Sequence, residues 1–523
     1  MSQIQFDIDV LFVDFPLDSP IALPTWSLGY RSMIATLREN GLSSAILHPI
    51  PIETRKARQQ LVNDILKISP KIVGFTTYDT FLQPLIQFIQ DIRNAGVKAH
   101  ITLGGLCASA IPEKILAFTP LVDSVICGEG ELSIFELCRM VINGESTVPK
   151  GVFLRHGTQI LFGGVRPLIE NLDMLPSPVI DNFTVNKLKN IAADYHMENM
   201  LFTASRGCYG QCIFCCIQRF YRSCPGKVWR ARSPQKVVKE ISMCRQSTGL
   251  NKFTFVDENF LGPGQLGRNH ALGIAKELQK EKIIFPFNFG CRPNDLHKET
   301  LIELKKAGLT AITLGIESMS DETLQLFNKG TTAKINEEAI KLLEELNIYL
   351  EITFIFFHPL TTLQEIRKNL QFIERIRKSK FAYFNRNMPF TEFIPFFNTE
   401  YTRRLEEMKL VKRTIGSFSI RYLDPTVEML VQKLRSMQLE QLYRLNSQLQ
   451  TSNPHLKGIL QSLLEYEKKL NLVRLPEIVS DFCNLFASDP PDNERLELIF
   501  QEFDRETMKI QSLFNLLIEA GRH

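Results

Sequence analysis

Residues 205–216 read SRGCYGQCIFCC, and the reading of this stretch decides the fold. Cys208, Cys212 and Cys215 stand in it at the spacing C-x3-C-x2-C, with Cys216 next to the third. Three thiols so close in one short loop can converge on a single metal centre. A closed tetrahedral zinc site takes four ligands, as does an iron–sulfur cubane held wholly by protein. Three thiolates on a four-iron cube leave one iron without a protein ligand, and an open iron is a place for chemistry as well as for electron storage. The plainer alternatives are buried core cysteines or a zinc staple, because cysteine is a common core residue and a single C-x2-C pair says little. The glycine-flanked loop follows the apolar run Met200–Ala204, which places it at the end of a strand.

With its aromatic Phe214 just before the last cysteine, this loop resembles the cluster-binding loop of the radical SAM enzymes. The resemblance implies a [4Fe–4S] cluster on Cys208, Cys212 and Cys215, whose open iron chelates the amino and carboxylate groups of S-adenosylmethionine (SAM). Reductive cleavage of SAM then gives a 5′-deoxyadenosyl radical.

The 523 residues are enough for about three domains. Hydrophobic residues make up 44% and charged residues 23%, ordinary for a globular protein, and 37 Phe predict large apolar cores. A net charge of +4 supplies no broad basic field, so no nucleic-acid partner is expected. No run of 18 apolar residues occurs; the nearest, Ile348–Phe357, is broken by Glu351, so no membrane span is expected. The N-terminus MSQIQFDIDVLF does not read as a signal peptide, and the expected location is the cytoplasm. There, 11 cysteines are metal ligands and core residues rather than disulfides.

Over residues 1–150, short apolar runs at Asp9–Asp14, Ser44–Leu47, Ile72–Phe75, His100–Leu103 and Ser124–Cys127 alternate with helical patterns. That alternation predicts an α/β, doubly wound parallel sheet, a Rossmann-like domain whose ligand sits at the carboxyl ends of the strands. This edge carries Thr76, Thr77, Gly104, Gly105, Gly128, Glu129 and Gly130. A glycine there either makes a tight turn or lets a ligand approach the backbone. Placed before the cysteine loop, with Gly104-Gly105 and VDSVICGEGE at 122–131, the domain resembles that of the cobalamin-binding class of radical SAM enzymes. On that resemblance the edge residues are candidates for holding cobalamin. The class often has D-x-H-x-x-G after the first strand; here residues 14–24 read DFPLDSPIALP, and His48 follows the second strand instead. The resemblance then implies either cobalamin without a histidine ligand from that motif or a domain that has lost cobalamin. Residues 151–194 are expected to form a hairpin over Val152–Phe162, turning at His156-Gly157, and a Pro-rich linker at 170–181.

From 195 to 400, strands are predicted at Asn199–Ala204, Lys252–Val256, Phe285–Gly290, Ala311–Gly315, Tyr349–Phe357 and Phe390–Ile394, each but the last followed by a helix. Such repeats predict a partial (β/α)6 barrel with its working residues at the carboxyl ends of the strands. Asp257, Glu258, Arg292 and Glu317 join the cysteines at that edge. Carboxylates can accept hydrogen bonds from an ammonium and from ribose hydroxyls, and a guanidinium can hold a carboxylate. The segments FVDENF and GIES resemble the family's SAM-facing strand ends, so Phe214, Asp257, Glu258, Arg292 and Glu317 are the candidate SAM contacts. YLEITFIFFHPL departs from the family's Gly-rich form and receives no residue assignment. Cys291 is expected in the core; Cys216 and Cys224 are expected not to be ligands, though either could donate hydrogen. The basic run Arg219, Arg222, Lys227, Arg230 and Arg232 is either a solvated face or a set of contacts to an anion. Residues 401–523 show helical patterns at Thr426–Leu449, Leu456–Asn471 and Asn493–Gly521, broken at Ser488–Asp492: a cap on the barrel or a partner-binding bundle.

The resemblance implies a cobalamin-dependent methyltransferase acting on an unactivated carbon of a small molecule or peptide, fed by an external flavodoxin- or ferredoxin-like electron donor. A non-methylating radical reaction (cyclisation, oxidation or epimerisation) and hydrogen abstraction without cobalamin remain open. So does an iron–sulfur or zinc-stabilised binding or electron-transfer module.

Overall fold

The computed structural model describes residues 8–15, 27–47, 55–79, 82–180, 199–384, 389–437, 465–466, 468–486 and 492–520. The prolines at 16, 20 and 24, His48, the linker after 180 and much of the first two of the three C-terminal helical patterns lie outside them.

The first sheet has seven strands: β1 (Val10–Val13), β2 (Ser44–Leu47), β3 (Ile72–Thr76), β4 (His100–Gly104), β5 (Ser124–Ile126), β6 (Val152–His156) and β7 (Gln159–Phe162). Their order is β2-β1-β3-β4-β5-β6-β7, parallel through β5 and antiparallel from β5 to β7. Helices cover both faces, which is why the central strands are continuous apolar runs rather than alternating ones. Successive residues of β1 feed two cores. Leu11 and Val13 pack with Phe88 and Ile89, while Val10 and Phe12 pack with Tyr30 and Ile34. The hairpin expected to begin the linker is instead hydrogen-bonded to β5, with Ile126 opposite Val152, and extends this sheet. Gly151, at φ +77°, makes the reversal into it.

The second sheet runs β15-β14-β13-β12-β11-β8 and is parallel throughout. Its strands are β8 (Asn199–Phe202), β11 (Lys252–Phe255), β12 (Phe287–Cys291), β13 (Leu309–Glu317), β14 (Tyr349–Phe354) and β15 (Ala382–Phe384). A two-stranded ribbon, β9 (Ser205–Arg206) with β10 (Arg230–Ala231), brackets the cysteine loop. Phenylalanines build much of the core on this sheet: Phe253 stacks on Phe287 at 5.1 Å, and Phe260 on Phe289 at 4.3 Å.

The sixth strand is not where the sequence placed it. Ala382–Phe384, directly after helix Leu363–Arg377, pairs with Leu350–Ile352, whereas in Phe390–Ile394 only Glu392 forms a bridge, to Phe357. The hydroxyl of Ser379 accepts hydrogen bonds from the N–H groups of Phe381 and Ala382 and so turns the chain into the edge strand. The later apolar run packs by its side chains, Phe390 on Phe356 and Phe393 on Tyr401.

A second hairpin, β16 (Val411–Thr414) with β17 (Ser417–Ile420), interrupts the region expected to be helical. It reaches back to the first domain. Arg413 pairs with Asp79 at 3.0 Å, lies 3.6 Å from the ring centroid of Phe397, and both charged side chains are at least nine-tenths buried. Helices Pro425–Ser436, Leu475–Leu485 and Asn493–Ala520 follow, and Leu475–Leu485 packs on Leu363–Arg377 and shares the barrel's core. Among the described residues no helix is long and apolar enough to cross a membrane.

Removing one partner of a buried ion pair strands the other charge, at about 3–5 kcal/mol. Arg413→Met should therefore lower the melting temperature more than the double variant Asp79→Asn/Arg413→Met, as read by thermal denaturation of the two proteins side by side.

Candidate active site

The cysteine loop leaves the carboxyl end of β8 and is fixed by the neighbouring strand ends. Asp257, just beyond β11, accepts hydrogen bonds from the N–H of Ala204 (3.1 Å) and from the N–H and hydroxyl of Ser205 (2.5 Å each). Glu258 accepts from the N–H of Gly207 (2.9 Å) and the hydroxyl of Tyr221 (3.0 Å). Gly207 sits at φ +84°, and a Cβ there would overlap the carbonyl oxygen of Val228, so the turn requires glycine. On the other side, the N–H of Ile213 donates to Phe327 O (3.0 Å) and that of Tyr401 to Ile213 O (3.1 Å). Phe214 packs on Phe327 at 4.9 Å.

Two acids of the first domain grip the loop as well. Arg206 bonds Glu131 at 2.6 Å and Glu129 at 3.0 Å, and Arg230 bonds Glu129 at 2.8 Å. Glu129 also accepts from the N–H of Ile169 (2.7 Å) and Glu131 from the hydroxyl of Ser32 (2.8 Å). Burial pushes the Glu131 carboxyl up, but the Arg206 guanidinium outweighs this and holds it below its ordinary range.

All three loop cysteines are free thiols and feel one another electrostatically. Burial pushes the Cys208 thiol up, while Arg292 and Lys329 pull against it. Burial, reinforced by Cys212, pushes Cys215 up to about 12. Thiolates here need positive charge close by, and the loop has it in Arg292 and Lys329. Three soft sulfur donors on a braced loop, with cations at hand, fit an iron–sulfur cluster held by three cysteines. Among the described residues, no three His, Cys, Asp or Glu side chains stand together as a single-ion site.

The other predicted SAM residues divide into two groups. Asp257 and Glu258 spend their oxygens on the loop's own backbone and on Tyr221. Burial raises the Asp257 carboxyl to about 7, against the pull of Ser205. Arg292 and Glu317 have capacity to spare. Arg292 lies 5.0 Å from the Tyr209 ring, donates through Nη2 to Lys329 O, and its buried Nε has no partner. Glu317 ends β13 at φ +65°, a left-handed conformation rare for a non-glycine residue. It pairs with the buried Lys329 at 3.1 Å. Lys329 was missed from the sequence because an Asn-Lys-Gly turn looks like any solvated one. Glu317 and Cys212 hold its ammonium above the ordinary value despite burial.

At the first sheet's edge, several predicted ligand residues are engaged within the protein. Thr77 donates to Gly104 O (2.9 Å) and accepts from the N–H of Ala108 (2.8 Å). The N–H of Thr76 donates to the Tyr30 hydroxyl. Gly105, at φ +94°, lies against Thr76 and Thr77, Gly128 against Cys224, and Gly130 against Met33. Between this edge and helix Cys216–Arg222 lies a narrow crevice lined by Asp79, Ser109, Arg219 and Phe397. Cys291 is buried in the core, as expected.

Sequence comparison matches residues 202–373 to the radical SAM superfamily and residues 20–137 to the B12 binding domain. The chain thus carries both a radical SAM domain and a B12 binding domain. It is 26% identical over 354 residues to an uncharacterized methyltransferase of Pyrococcus horikoshii, covering 67% of this chain and 73% of that one. To the anaerobic magnesium-protoporphyrin IX monomethyl ester cyclase of Cereibacter sphaeroides it is 27% identical over 308 residues, 57% of this chain and 48% of the cyclase. Its fold is similar to that of OxsB, a cobalamin-dependent SAM radical enzyme solved with aqua-cobalamin and SAM, at TM-score 0.72 and 19% identity over 98% of this chain and 80% of that one. This radical SAM domain implies a [4Fe–4S] cluster and SAM, and the B12-binding domain implies cobalamin.

Asp257 gives the radical SAM domain a pH signature. The folded protein keeps its proton up to about 7, whereas the unfolded chain loses it near 3.8, so unfolding releases a proton between those values. This contribution to stability is full below the lower value and is lost as pH rises through about 7. Melting temperatures compared at either end of that window should show a fall with rising pH that Asp257→Asn removes.

Proposed function

We propose that this chain is a cobalamin-dependent radical SAM methyltransferase whose cluster is held by Cys208, Cys212 and Cys215. The observation that carries the reading is the braced three-cysteine loop, fixed by Asp257, Glu258 and Glu129 beside Lys329 and Arg292, whose buried Nε has no partner. When bound, the cluster would supply the electron that cleaves SAM and cobalamin would carry a methyl group. Arg292, through its free Nε, would hold the SAM carboxylate. Glu317, held by Lys329, would accept a hydrogen bond from the ammonium or ribose, and Phe214, packed on Phe327, would be the aromatic contact. Asp257 and Glu258 serve the same site by keeping the loop in place. Cobalamin would lie at the edge formed by Thr76, Thr77, Gly104, Gly105 and Gly128–Gly130. The domain division we propose is 1–150 for cobalamin, 151–194 as a hairpin that extends its sheet and then a joining stretch, 195–400 for the radical chemistry and 401–523 closing one flank. The substrate is a small molecule or peptide, and an external flavodoxin- or ferredoxin-like protein supplies the electron.

A second reading, a non-methylating cyclisation, draws on the similarity to the cyclase. Transfer of label from methyl-deuterated SAM to product separates the two.

Anaerobic reconstitution should give about four irons per chain and corrinoid absorbance with stoichiometric cobalt. Cys212→Ala should lose the cluster iron and reductive SAM cleavage while keeping cobalt. Unchanged iron in that variant sinks the assignment.

A further inference from the structure

One histidine gathers a set of buried polar groups that neither the cluster nor SAM uses. His358 follows the buried Phe356 and Phe357 and packs on the buried Phe327, ring centroids 5.1 Å apart. One more apolar side chain would suit such surroundings, yet both ring nitrogens are engaged. Nδ1 faces two donors, the Tyr401 hydroxyl (2.6 Å) and the Leu360 N–H (3.4 Å), so it is the acceptor. The proton therefore sits on Nε2, which donates to Glu365 (3.2 Å). The other oxygen of Glu365 accepts from the Ser318 hydroxyl (3.0 Å). Ser318, Glu365, His358 and Tyr401 are all buried, and none of them leaves a buried side-chain polar atom without a partner. A buried polar network satisfied in this way is stiff and admits one arrangement.

Each end of the line stops beside one half of the proposed site. Ser318 follows Glu317, whose left-handed backbone persists only if its neighbours hold it. They do so closely. The Ser318 N–H donates to Ile316 O (2.9 Å), Asn336 donates to the carbonyls of Ile316 and Ser318 (3.3 Å each), and the Met319 N–H donates to Asn369 (3.1 Å). At the other end, Tyr401 lies in the first turn of helix Glu400–Glu407, where a backbone N–H has no partner within the helix. It goes to Ile213 O (3.1 Å), between Cys212 and Cys215, and the Ile213 N–H goes to Phe327 O (3.0 Å). The Phe327 ring in turn packs on Tyr401 (5.3 Å) and Phe214 (4.9 Å) as well as on His358. His358 thus reaches the cysteine loop by a hydrogen-bonded route and by a packed one.

We propose that the line Ser318–Glu365–His358–Tyr401 couples the Glu317 carboxylate to the cysteine loop, so that the group facing SAM and the loop holding the cluster are positioned as one unit. The inference rests on the cluster and SAM reading above and adds to it a set of positioning residues behind the site. Packing alone would make each substitution a local matter. Coupling makes a change at one end readable at the other, in both directions.

The test uses the anaerobically reconstituted full chain and follows the hydrogen-exchange rate of the Ile213 amide and the affinity for SAM by calorimetry. Ser318→Ala cuts the line at its Glu317 end and should raise the Ile213 exchange rate about fivefold, the effect of one lost hydrogen bond. Tyr401→Phe removes only the hydroxyl at the loop end. It should weaken SAM binding by about the same factor while keeping about four irons. The double variant should exceed the larger single effect in neither measurement, because the line is already cut. Tyr466→Phe removes a similar bond, to Glu506 (2.6 Å), in the C-terminal region and should leave both within about twofold. Ile213 exchange unmoved by Ser318→Ala, SAM affinity unmoved by Tyr401→Phe, additive effects in the double variant, or equal effects in Tyr466→Phe overturns the proposal. Should Tyr401→Phe not fold, Ser318→Ala decides through Ile213 alone. The failures of the two readings look different. A chain that takes up no iron and binds no SAM overturns the enzyme reading, and its Ile213 amide still tests the coupling. One that holds about four irons and whose Ile213 amide ignores Ser318→Ala overturns the coupling alone.

Discussion

The arrangement depends on a buried set of ion pairs, Arg206 and Arg230 against Glu129 and Glu131, that ties the cysteine loop to the end of β5. Taking four charges out of water is costly, and such a set persists only when each charge is matched and its remaining lone pairs are used. The carboxylates meet this, Glu129 also accepting from Ile169 and Glu131 from Ser32; Arg230 spends a further bond on Ile169 O but keeps Nε and Nη2 buried without partners. Greasy packing would hold the two domains together as firmly. It would not fix the register of a loop whose cysteines must meet one object. Charge pairing gives that register, because a guanidinium two residues before Cys208 must face two carboxylates on one turn.

The same logic explains how the second sheet serves the site. Asp257 and Glu258 follow β11 directly and reach sideways to the backbone after β8, so two adjacent strand ends share one hydrogen-bonded seam. On the far side, Glu317 takes a left-handed backbone to present its carboxylate to Lys329. Strain of this sort persists where the surroundings over-determine it, commonly at functional sites. Behind the loop, Tyr401 meets His358 at 2.6 Å, His358 meets Glu365 at 3.2 Å, and the Ser318 hydroxyl donates to Glu365 at 3.0 Å. A continuous polar chain thus runs from the end of β13 to the residue that bonds Ile213.

Much of this was legible from residue order alone. The cysteine spacing, the alternating apolar runs and the glycine turns marked both α/β units and most of their strands. Two misjudgements have a common physical source. The Phe390–Ile394 run is as apolar as a strand, but its burial comes from side chains on Tyr401 and Phe356, which sequence pattern does not distinguish from backbone pairing. Conversely, Val411–Ile420 carries few apolar residues and still pairs, because a glycine turn and one buried ion pair hold it. That Asp257 and Glu129 brace the cysteine loop was not legible, for another reason. An acid at a strand end looks the same whether it awaits a ligand or braces a loop; only its partners tell. His358, passed over as a departure from the family pattern, proves to be the centre of the polar chain.

The ion pair between Asp79 and Arg413 joins residues 334 positions apart. Ribosomes add about 5–20 residues per second, so the two partners emerge on the order of tens of seconds apart. Through that interval the first domain can complete its sheet, but the acid beside the crevice has no counter-charge and the wall formed by Phe397 does not yet exist. The compartment between the two domains is therefore among the last features to be assembled, and a nascent chain lacking its final hundred or so residues already has the segments for both sheets and for the lock that joins the first of them to the tail.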